Sequence, residues 1–455
     1  LSKTDLPLID GFIETTPDLS IKGDPSVFAV GDCAAMPFAP RPKAGVFAVR
    51  AAPILHHNLR AALTGGPRKT FKPQKNYLKL ISLGGKSAMA EKFGVAFSGP
   101  LLWRWKDRID RAFMDKLDLL PQMNPAKGPA VAALGAREML QDKPLCGGCG
   151  AKVGGALLAD ALSTLDTAAT PQIVTGVGDD AAIVKLPGGG FQVLSTDHLR
   201  AMVHDPVQMT RIAAVHALGD IGAMGAKPQV ALSSLILPRM SPPLQARTLR
   251  EITDTAGGHT TMGAELTIGF TVTGTRDTMP ITIAGAQPGD VLLLTRPIGS
   301  GVMMAAHMQG LARGRDVAKT LAMMEQPQSQ QADILRDAHA MTDVTGFGLA
   351  GHVLAMCKAS GLRATLTRSD IPIYEGARAL SDAGVASSLL SANRDNAPTA
   401  GIDDPLLYDP QTAGGLLAAL PQAAAEIALK QLQDKGLQGW IIGSLQSGPP
   451  AVTLA

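Results

Sequence analysis

From residue 145 to the end of the chain, strand patterns alternate with helical patterns, and this alternation most constrains the fold. The predicted elements are strands at 191–196, 229–237 and 266–274 and helices at 206–218 and 241–256. A Pro-Gly-Asp turn, a buried strand and a glycine turn at 284–301 predict a boundary between two subdomains. The pattern therefore favours an α/β or α+β fold for this part of the chain.

Charge is distributed unevenly along the 455 residues. Residues 1–145 contain 21 Lys+Arg and 13 Asp+Glu, whereas the remainder contains 21 and 26, so two parts of different character are joined. Ten basic residues and no acidic one lie between Asp32 and Glu91, but they are spread thinly along the sequence. We therefore do not expect nucleic-acid binding.

The chain has four cysteines, and only Cys146 and Cys149 are close in sequence. This pattern predicts a reducing, cytoplasmic setting rather than a disulfide framework. There is no run of about 18 uncharged apolar residues and no signal-peptide pattern at the N terminus. The absence of an initiator methionine suggests a fragment of a longer protein.

The stretch LCGGCGAKVGG, which begins at residue 145, combines two cysteines with Lys152 among glycines. Glycine has no side chain to bury, so we expect a loop that is mobile or closely approached by other atoms. The Cys-x-x-Cys spacing also fits a zinc site or a thioredoxin-like redox pair, although a zinc site needs two further ligands. We expect Cys33 and Cys357 to be ordinary buried thiols.

Five aspartates stand where a strand or helix gives way to small residues, with almost no neighbouring cation. They are Asp179, Asp180, Asp197, Asp220 and Asp343. Each one alone fits a helix cap or a turn. If they converge, their repulsion demands cations, and hard oxygen ligands select Mg²⁺ or Mn²⁺ with a phosphate group. This pattern suggests a nucleotide site.

The sequence contains no P-loop, so any phosphate cradle must be of another kind. Glycine-lined candidates whose backbone N–H groups could meet phosphate oxygens lie at 256–260, 296–301 and 411–415. GFGLAG at 346–351 is a literal GxGxxG followed by Asp370 about 20 residues later, which is typical of a dinucleotide site. A pyrophosphate there would be repelled by Asp343 unless a metal ion intervened.

The ordered motifs CGAK, GDDAA, STDH, GDIGAMGAKP, AGGHT, MTDVTGFGLAGH and DPQTAGG resemble those of the selenophosphate synthetase (selenide, water dikinase) family. The resemblance implies an aminoimidazole ribonucleotide synthetase-like two-subdomain kinase fold of the α+β class. It implies a mobile Cys/Lys loop and an ATP-binding subdomain over 145–285, and a second subdomain over 286–455. A homodimer whose sheets form a barrel is also implied.

The resemblance further implies that ATP, selenide and water give selenophosphate, AMP and phosphate. The implied Mg²⁺ ligands are Asp180, Asp220 and Asp343. The residues implied to face ATP are Lys152, Val177, Gly178, Asp179, Asp197, Asp220, Gly257, Gly258 and His259. Lys152 would neutralise phosphate charge, and Cys149 matches the catalytic cysteine. Many relatives have a second cysteine before the lysine; here Ala151 stands there and Cys146 lies upstream.

Residues 1–118 resemble the C-terminal part of an FAD-dependent pyridine nucleotide-disulfide oxidoreductase of the NADH dehydrogenase type. The stretch DGFIETTPDLSIKGDPSVFAVGDCA carries the resemblance, which implies that Asp32 bonds the ribityl chain of FAD. Such enzymes need two GxGxxG domains upstream, so we expect FAD binding only with those domains present. Residues 119–144 are small and rich in Pro, Gly and Ala, and predict a linker.

Residues 98–117 predict an amphipathic helix with aromatic and basic side chains. Such a helix fits either peripheral contact with a membrane or packing on its own domain. Two other functions stay open for the whole chain. One is an FAD- or NAD(P)H-dependent oxidoreductase with a regulatory nucleotide-binding module. The other is a small-metabolite kinase of the same superfamily.

Overall fold

The structure is a computed structural model that describes residues 4–118, 146–163, 170–175, 178–253 and 257–455. These residues form two compact units, whose described parts are 4–118 and 146–455. The ranges predicted for the two subdomains fall within the second unit, which also holds the carboxylates singled out above.

The described part of the first unit combines short strands with two helices. The strands are Leu8–Ile9 (β1), Phe12–Glu14 (β2), Ser20–Ile21 (β3), Asp24–Phe28 (β4), Ala34–Ala35 (β5), Lys79–Gly84 (β6), Ser87–Lys92 (β7) and Val95–Gly99 (β8), and the helices are Gly45–Thr64 (α1) and Pro100–Asp118 (α2). The strands form three small sheets, ordered β1-β2-β5, β3-β4 and β6-β7-β8. Leu19, Ala51 and Phe71 are buried together in one of its small cores.

Asp32 and Cys33 lie in a short 3-10 turn, Gly31–Cys33, shortly after strand β4. Gly31 has a positive φ of 73°, a conformation that glycine adopts without strain. Both Asp32 and Cys33 are exposed. The prediction of a buried thiol is therefore wrong for Cys33, because the turn carries its side chain to the surface, whereas Cys357 is buried as predicted.

Helix α2 is the amphipathic helix predicted at 98–117, and it packs on the β6-β7-β8 sheet. Its Trp105, Ile109 and Phe113 are 48%, 43% and 47% exposed, so the packing covers only part of the apolar face. Among the residues that the structure describes, no helix is both long and apolar enough to span a bilayer.

The first layer of the second unit is a six-stranded sheet in the order β13-β12-β14-β11-β10-β9. Its strands are Ile173–Thr175 (β9), Ala182–Lys185 (β10), Phe191–Arg200 (β11), Lys227–Leu237 (β12), Gly258–Met262 (β13) and Thr267–Arg276 (β14). The helices of this region are Gly155–Ser163 (α3), Pro206–Ala223 (α4) and Pro242–Thr253 (α5). Neighbouring strands are antiparallel except β12 and β13, which are parallel.

The second sheet has seven strands in the order β16-β19-β15-β20-β17-β21-β18. They are Asp290–Leu294 (β15), Ala340–Asp343 (β16), Leu362–Leu366 (β17), Ala400–Gly401 (β18), Leu416–Pro421 (β19), Trp440–Ser447 (β20) and Ala451–Leu454 (β21). The helices are Ser300–Met308 (α6), Gly314–Met324 (α7), Ser329–Ile334 (α8), Gly348–Ser360 (α9), Ala377–Asp382 (α10), Leu390–Asn396 (α11) and Gln422–Asp434 (α12). Strands β15 and β16 are buried along their whole length, including Asp290 of β15 and Asp343 of β16.

Helix α4 joins the two layers, because it packs on β11 and β14 of the first sheet and on β16 and β19 of the second. The Asp205 side chain caps its start by accepting hydrogen bonds from the N–H groups of Val207 (2.8 Å) and Gln208 (3.1 Å). The strands predicted at 191–196, 229–237 and 266–274 and the helix predicted at 206–218 all form. The helix predicted at 241–256 forms over Pro242–Thr253, and residues 254–256 lie outside the described residues. The packing of these elements places Asp220, near the C-terminal end of α4, beside Ser195 of β11 and Asp343 at the end of β16.

Candidate active site

A cavity of about 580 Å³ lies where β11, helix α4 and the end of β16 meet. Its lining includes the five aspartates that the sequence singled out, Asp179, Asp180, Asp197, Asp220 and Asp343. Lys152 also lines the cavity. The fold therefore brings together carboxylates that are up to 164 positions apart in the sequence, and it adds a cation to them.

Asp180, Asp220 and Asp343 each offer a carboxylate oxygen, and these three oxygens lie within 4.8 Å of one another. Two unit charges at that separation repel by roughly 3–4 kcal/mol at an effective dielectric near 20. Burial and this repulsion raise the pKa of Asp180 and Asp220 well above the usual value and that of Asp343 to about 7. Within the described residues this is the one cluster of three or more such groups, and a divalent cation would relieve its repulsion.

A chain of hydrogen bonds fixes one carboxylate oxygen of Asp180, Oδ1. The Thr345 N–H donates to His352 Nε2 (3.0 Å), which leaves the ring proton on Nδ1, 3.2 Å from Thr342 Oγ1. Thr342 in turn donates to Asp180 Oδ1 (2.9 Å), while Asp180 Oδ2 is buried without a partner. Burial and the charge of Lys152 lower the pKa of His352 to about 3, so the ring is neutral. The unpartnered oxygen is the one available to a metal ion.

Asp220 is held by the hydroxyl of Ser195, which donates to its Oδ2 from strand β11. Asp220 lies near the end of α4, and Asp343 is the last residue of β16. The two carboxylates approach from different layers of the unit, so the cluster depends on the packing of α4 between the sheets.

Asp179 is oriented differently from its neighbour. Its carboxylate accepts hydrogen bonds from the N–H groups of Asp180 (2.9 Å) and Ile283 (3.3 Å), and burial raises its pKa. The side chain thus holds the loop in place, leaving the backbone near Gly178 open to the surface. Val177, also predicted to face ATP, lies outside the described residues.

Lys152 Nζ lies 3.1 Å from Asp197 Oδ2, and both residues line the cavity. Burial alone would lower the pKa of Lys152, but the anionic groups around it outweigh burial and raise the pKa above its usual value. Burial would raise the pKa of Asp197, yet His216 and Lys152 hold that pKa well below its usual range. Both side chains therefore stay charged at neutral pH, with the ammonium facing a space lined by carboxylates.

The side chain of Cys149 is fully buried, and its sulfur lies 3.2 Å from His216 Nε2. The same nitrogen lies 2.8 Å from Asp197 Oδ2. Burial alone would lower the pKa of His216, but Cys149 and Asp197 raise it well above the usual value. The Cys149 N–H donates to Thr412 Oγ1 (3.1 Å), so the cysteine is anchored by both backbone and side chain.

The glycines beside Cys149 are required by close packing. A Cβ at Gly147 would lie 2.7 Å from the Ala201 carbonyl oxygen, and one at Gly148 would lie 2.6 Å from Thr412 Oγ1. Gly148 also has a positive φ of 60°. Of the two reasons predicted for these glycines, close approach accounts for the docked loop.

Cys146 is also buried, but it packs in a different apolar cluster from Cys149. Its N–H group lies 3.4 Å from Ser388 Oγ, and its side chain lies against Gly150. Neither cysteine has formed a disulfide, and the one candidate metal cluster within the described residues contains no cysteine. The geometry thus gives no support to a zinc site at this pair.

Gly257, Gly258 and His259 do not line the cavity. They lie at and before the start of β13, the edge strand of the six-stranded sheet, and all three are exposed. These three belong to the set predicted to face ATP, and the single chain does not bring them into the cavity that the carboxylates line.

Two of the predicted phosphate cradles are wrong, because their backbone N–H groups already have partners. The Gly299 and Ser300 N–H groups both donate to Gln411 Oε1 (3.0 Å each). The Thr412 N–H donates to Ser300 Oγ (3.1 Å), and the Ala413 N–H points to His216 Nδ1 (3.4 Å). The loops at 296–301 and 411–415 therefore bind each other and support the cysteine loop.

The GFGLAG stretch follows strand β16 and opens helix α9, yet its glycines face protein atoms. A Cβ at Gly346 would lie 2.8 Å from Lys152 Cδ, and one at Gly348 would lie 2.8 Å from the Leu407 carbonyl oxygen. The space that a pyrophosphate would need is filled, which argues against a dinucleotide at this position.

Sequence reasoning missed His216, Ser195, Thr342, His352 and Thr412. His216 precedes Asp220 by four residues, and residues so spaced share one face of a helix. That spacing is the one local signal that could have linked His216 to the site. Ser195, Thr342 and Thr412 contact site residues that are 25, 162 and 263 positions away. His352 acts through Thr342, ten positions before it.

Comparison with known proteins agrees with this geometry. The model of the AIR synthase related protein N-terminal domain matches residues 178–287, and that of the C-terminal domain matches 287–454. The crystal structure of tt0281 from Thermus thermophilus superposes with a TM-score of 0.52 at 21% identity, covering 66% of this chain and 96% of that chain. The predicted aminoimidazole ribonucleotide synthetase-like fold is confirmed.

Curated relatives define the family more narrowly. The selenide, water dikinase of Myxococcus xanthus is 36% identical over 334 residues, which cover 68% of this chain and 94% of the relative. The selenide, water dikinase of Dechloromonas aromatica is 33% identical over 334 residues, covering 67% and 95%. This chain, an enzyme with the carboxylate cluster, the lysine and the cysteine described above, belongs to the selenide, water dikinase family.

Proposed function

We propose that this enzyme converts ATP, selenide and water into selenophosphate, AMP and phosphate. The observation that carries the proposal is the juxtaposition of a carboxylate cluster, an ammonium group and a cysteine in one small region. Phosphoryl transfer depends mainly on positioning and charge neutralisation, and selenium chemistry favours a soft sulfur group. The cavity of about 580 Å³ is of a size that takes a nucleotide.

The donor set fits Mg²⁺. Three carboxylates lie within 4.8 Å of one another, and Asp180 Oδ2 is buried without a partner, so a hard cation would satisfy the groups that the protein leaves unpaired. Asp180, Asp220 and Asp343 would hold the ion, which would supply charge neutralisation for the phosphate chain of ATP. Asp197 and the backbone at Val177, Gly178 and Asp179 would contact the nucleotide beside it.

Lys152 would bind the phosphates that approach the cluster. Its ammonium lies 3.1 Å from Asp197 and lines the same cavity. A compact charge on a flexible stem can leave one anion and follow another as a phosphoryl group moves. We propose that Lys152 exchanges Asp197 for phosphate oxygens during transfer.

Cys149 would handle the selenium. Because its side chain is 0% exposed, selenide cannot reach the sulfur while the loop from Cys146 to Lys152 is docked as described. We propose that this loop opens to receive selenium and closes over ATP. Cys146 packs apart from Cys149, which favours a reaction that uses Cys149 alone.

A homodimer would complete the nucleotide site. One face of the six-stranded sheet packs on α4, whereas Val230 and Leu232 on the outer face of β12 are 52% and 56% exposed. A second copy covering this face would bury them and would account for the exposure of Gly257, Gly258 and His259 in the single chain. Sedimentation of the chain and of Leu232→Glu tests this, since the charged variant should shift the protein to a monomer.

The first unit would be the C-terminal part of a flavin-dependent oxidoreductase, joined through a linker at 119–144. Asp32 lines a cavity of about 390 Å³ with Gly31 and Lys43, which supports a ligand there. FAD would bind only with the further domains of such an enzyme. Absorbance at about 450 nm in the purified chain, the flavin signature, would show instead that this unit binds the cofactor alone.

Two further predictions concern the cellular compartment of the enzyme and its contact with membranes. We propose a reducing, cytoplasmic compartment, in keeping with four free cysteines. The half-exposed apolar face of α2 supports peripheral membrane contact, which co-sedimentation with anionic lipid vesicles tests.

The deciding experiment measures AMP release by the purified chain with ATP and Mg²⁺, with and without selenide. We expect AMP and selenophosphate to form together, and only when selenide is present. ADP as the product would point to a small-metabolite kinase of the same superfamily. AMP formation that does not depend on selenide would contradict the proposal.

A further inference from the structure

A single ring nitrogen of His216 lies between a carboxylate and a sulfur atom. His216 Nε2 is 2.8 Å from Asp197 Oδ2 and 3.2 Å from Cys149 Sγ. His216 and Cys149 are both buried, with 1% and 0% exposure, so bulk water does not compete for these contacts. The state of the ring proton therefore decides which state of the sulfur is favoured.

The second ring nitrogen identifies where that proton lies. The Ala413 N–H group points to His216 Nδ1 at 3.4 Å, so in the neutral ring Nδ1 accepts and Nε2 carries the hydrogen. Ala413 is fixed, because its carbonyl oxygen accepts a hydrogen bond from Arg296 Nη1 (2.6 Å) and its φ is +49°. A non-glycine residue held in this conformation indicates a position that the surrounding packing enforces.

The opposite tautomer is disfavoured by two contacts at once. A hydrogen on Nδ1 alone would face the Ala413 N–H, and a bare Nε2 would face the carboxylate of Asp197. Because that tautomer is disfavoured, Nε2 offers no lone pair to which the thiol of Cys149 could donate a hydrogen bond. In the neutral ring and in the imidazolium alike, Nε2 presents a hydrogen to the sulfur, which matches a thiolate acceptor.

The charges around the pair are consistent with an anionic sulfur. Asp197 and Lys152 face it from β11 and from the cysteine loop, and these two groups form an ion pair of 3.1 Å. Asp220 and Asp343 face His216 from α4 and β16 through electrostatic interaction rather than direct contact. Because Lys152 offsets Asp197, the N–H of His216 is available to stabilise negative charge on Cys149.

We propose that His216 is a positioning residue that holds Cys149 as a thiolate, with Asp197 and Ala413 orienting its ring. The inference deepens the proposed function and rests on it only for the identity of the group that Cys149 handles. The thiolate is the reactive form of cysteine, so His216 would prepare the sulfur for selenium before the substrate arrives.

The test titrates one sulfur without ATP or selenide. Cys33, Cys146 and Cys357 are replaced by Ser, and thiolate absorbance at about 240 nm is followed from about pH 5 to about pH 10. The spectrum of the same chain with Cys149→Ser is subtracted. The variants are His216→Leu, which has no donor, and His216→Gln, which keeps an N–H donor, with His307→Asn on the exposed end of α6 as control.

We expect the thiolate absorbance of Cys149 to be present at about pH 7. His216→Leu should lower this absorbance, relative to its value at about pH 10, by at least about threefold, His216→Gln by less, and His307→Asn not at all. An unchanged thiolate absorbance at about pH 7 in a folded His216 variant, checked by circular dichroism, overturns the inference; if the Leu variant does not fold, the Gln variant decides. Since no substrate is used, this result is independent of selenophosphate formation.

Discussion

Gly219 of helix α4 packs directly on Asp343 of strand β16, so that a Cβ at Gly219 would lie 2.4 Å from Asp343 Oδ2. This contact lets a helix of one layer and a strand of the other place their carboxylates side by side. Asp220, the next residue, joins the cluster because no side chain at position 219 separates the two elements. The proposed metal site therefore depends on the absence of one methyl group.

Gly219→Ala should displace Asp343 and weaken Mg²⁺ binding. Alanine favours a helix over glycine by about 1 kcal/mol, so the loss would not come from the helix itself. We expect the Mg²⁺ concentration for half-maximal AMP formation to rise at least about tenfold.

The matched control is Gly222→Ala, three residues further along α4. A Cβ there would meet Ala332 Cβ at 3.4 Å, which is an ordinary contact. This variant should keep its Mg²⁺ dependence. An equal change in both variants would mean that Gly219 matters to the helix and not to the cluster.

Asp343 should make the stability of the metal-free protein depend on pH. Burial and Asp180 raise its pKa to about 7, whereas an unfolded Asp titrates at about 3.9. The folded protein therefore holds a proton that the unfolded chain has lost between about pH 4 and pH 7. The free energy of unfolding falls as the pH rises through this window, by up to about 1.4 kcal/mol per pH unit, and is not recovered above it.

Urea unfolding across this pH range, with and without Mg²⁺, measures the effect. Asp343→Asn should remove the part of the dependence that Asp343 contributes, leaving that of the other buried carboxyl groups, and should remove the response to Mg²⁺. Asp409 provides a control, because burial also raises its pKa to about 7 but it bonds to Gly301 and Gln411 instead of the cluster. Asp409→Asn should keep the response to Mg²⁺; if it does not, the response arises elsewhere in the protein.

Local sequence patterns predicted several strands and helices of the second unit. Strands such as β14, with Ile268, Phe270 and Val272 on one face, follow the two-residue period that a half-buried strand requires. The five aspartates were identified because each follows an element in apolar company, and such carboxylates need partners from elsewhere. Their convergence could not be derived, since it depends on the packing of α4 between two sheets.

The contacts around Cys149 could not be predicted, for two physical reasons. Its partners His216 and Thr412 are 67 and 263 residues away, and no spacing rule links such positions. The glycine loops were misread as phosphate cradles because a side chain, that of Gln411, supplies the acceptor that we assigned to a ligand. The sequence shows that a loop N–H group needs a hydrogen-bond acceptor, but it does not show whether the protein or a ligand provides that acceptor.

Lys152→Ala should slow AMP formation far more than it weakens ATP binding. The ammonium faces the cavity from the cysteine loop, and a group that neutralises moving charge acts mainly in the transition state. We expect turnover to fall by about 10²–10³-fold, with the Kd for ATP raised less than about tenfold. Lys185→Ala, an exposed lysine on β10, should change neither quantity. Equal losses in turnover and ATP affinity would indicate that Lys152 serves binding alone.

The two cysteines should respond differently to serine. Cys149 contacts His216 and Thr412 beside the carboxylates, whereas Cys146 packs in the other apolar cluster against Gly150 and near Ser388. Cys149→Ser should abolish selenide-dependent AMP formation, because the serine hydroxyl stays protonated and its oxygen is a harder nucleophile than sulfur. Cys146→Ser should keep activity within about threefold while lowering stability by about 1 kcal/mol, the cost of placing a hydroxyl in an apolar contact. If Cys146→Ser also abolished the reaction in a folded protein, selenium would pass between the two thiols.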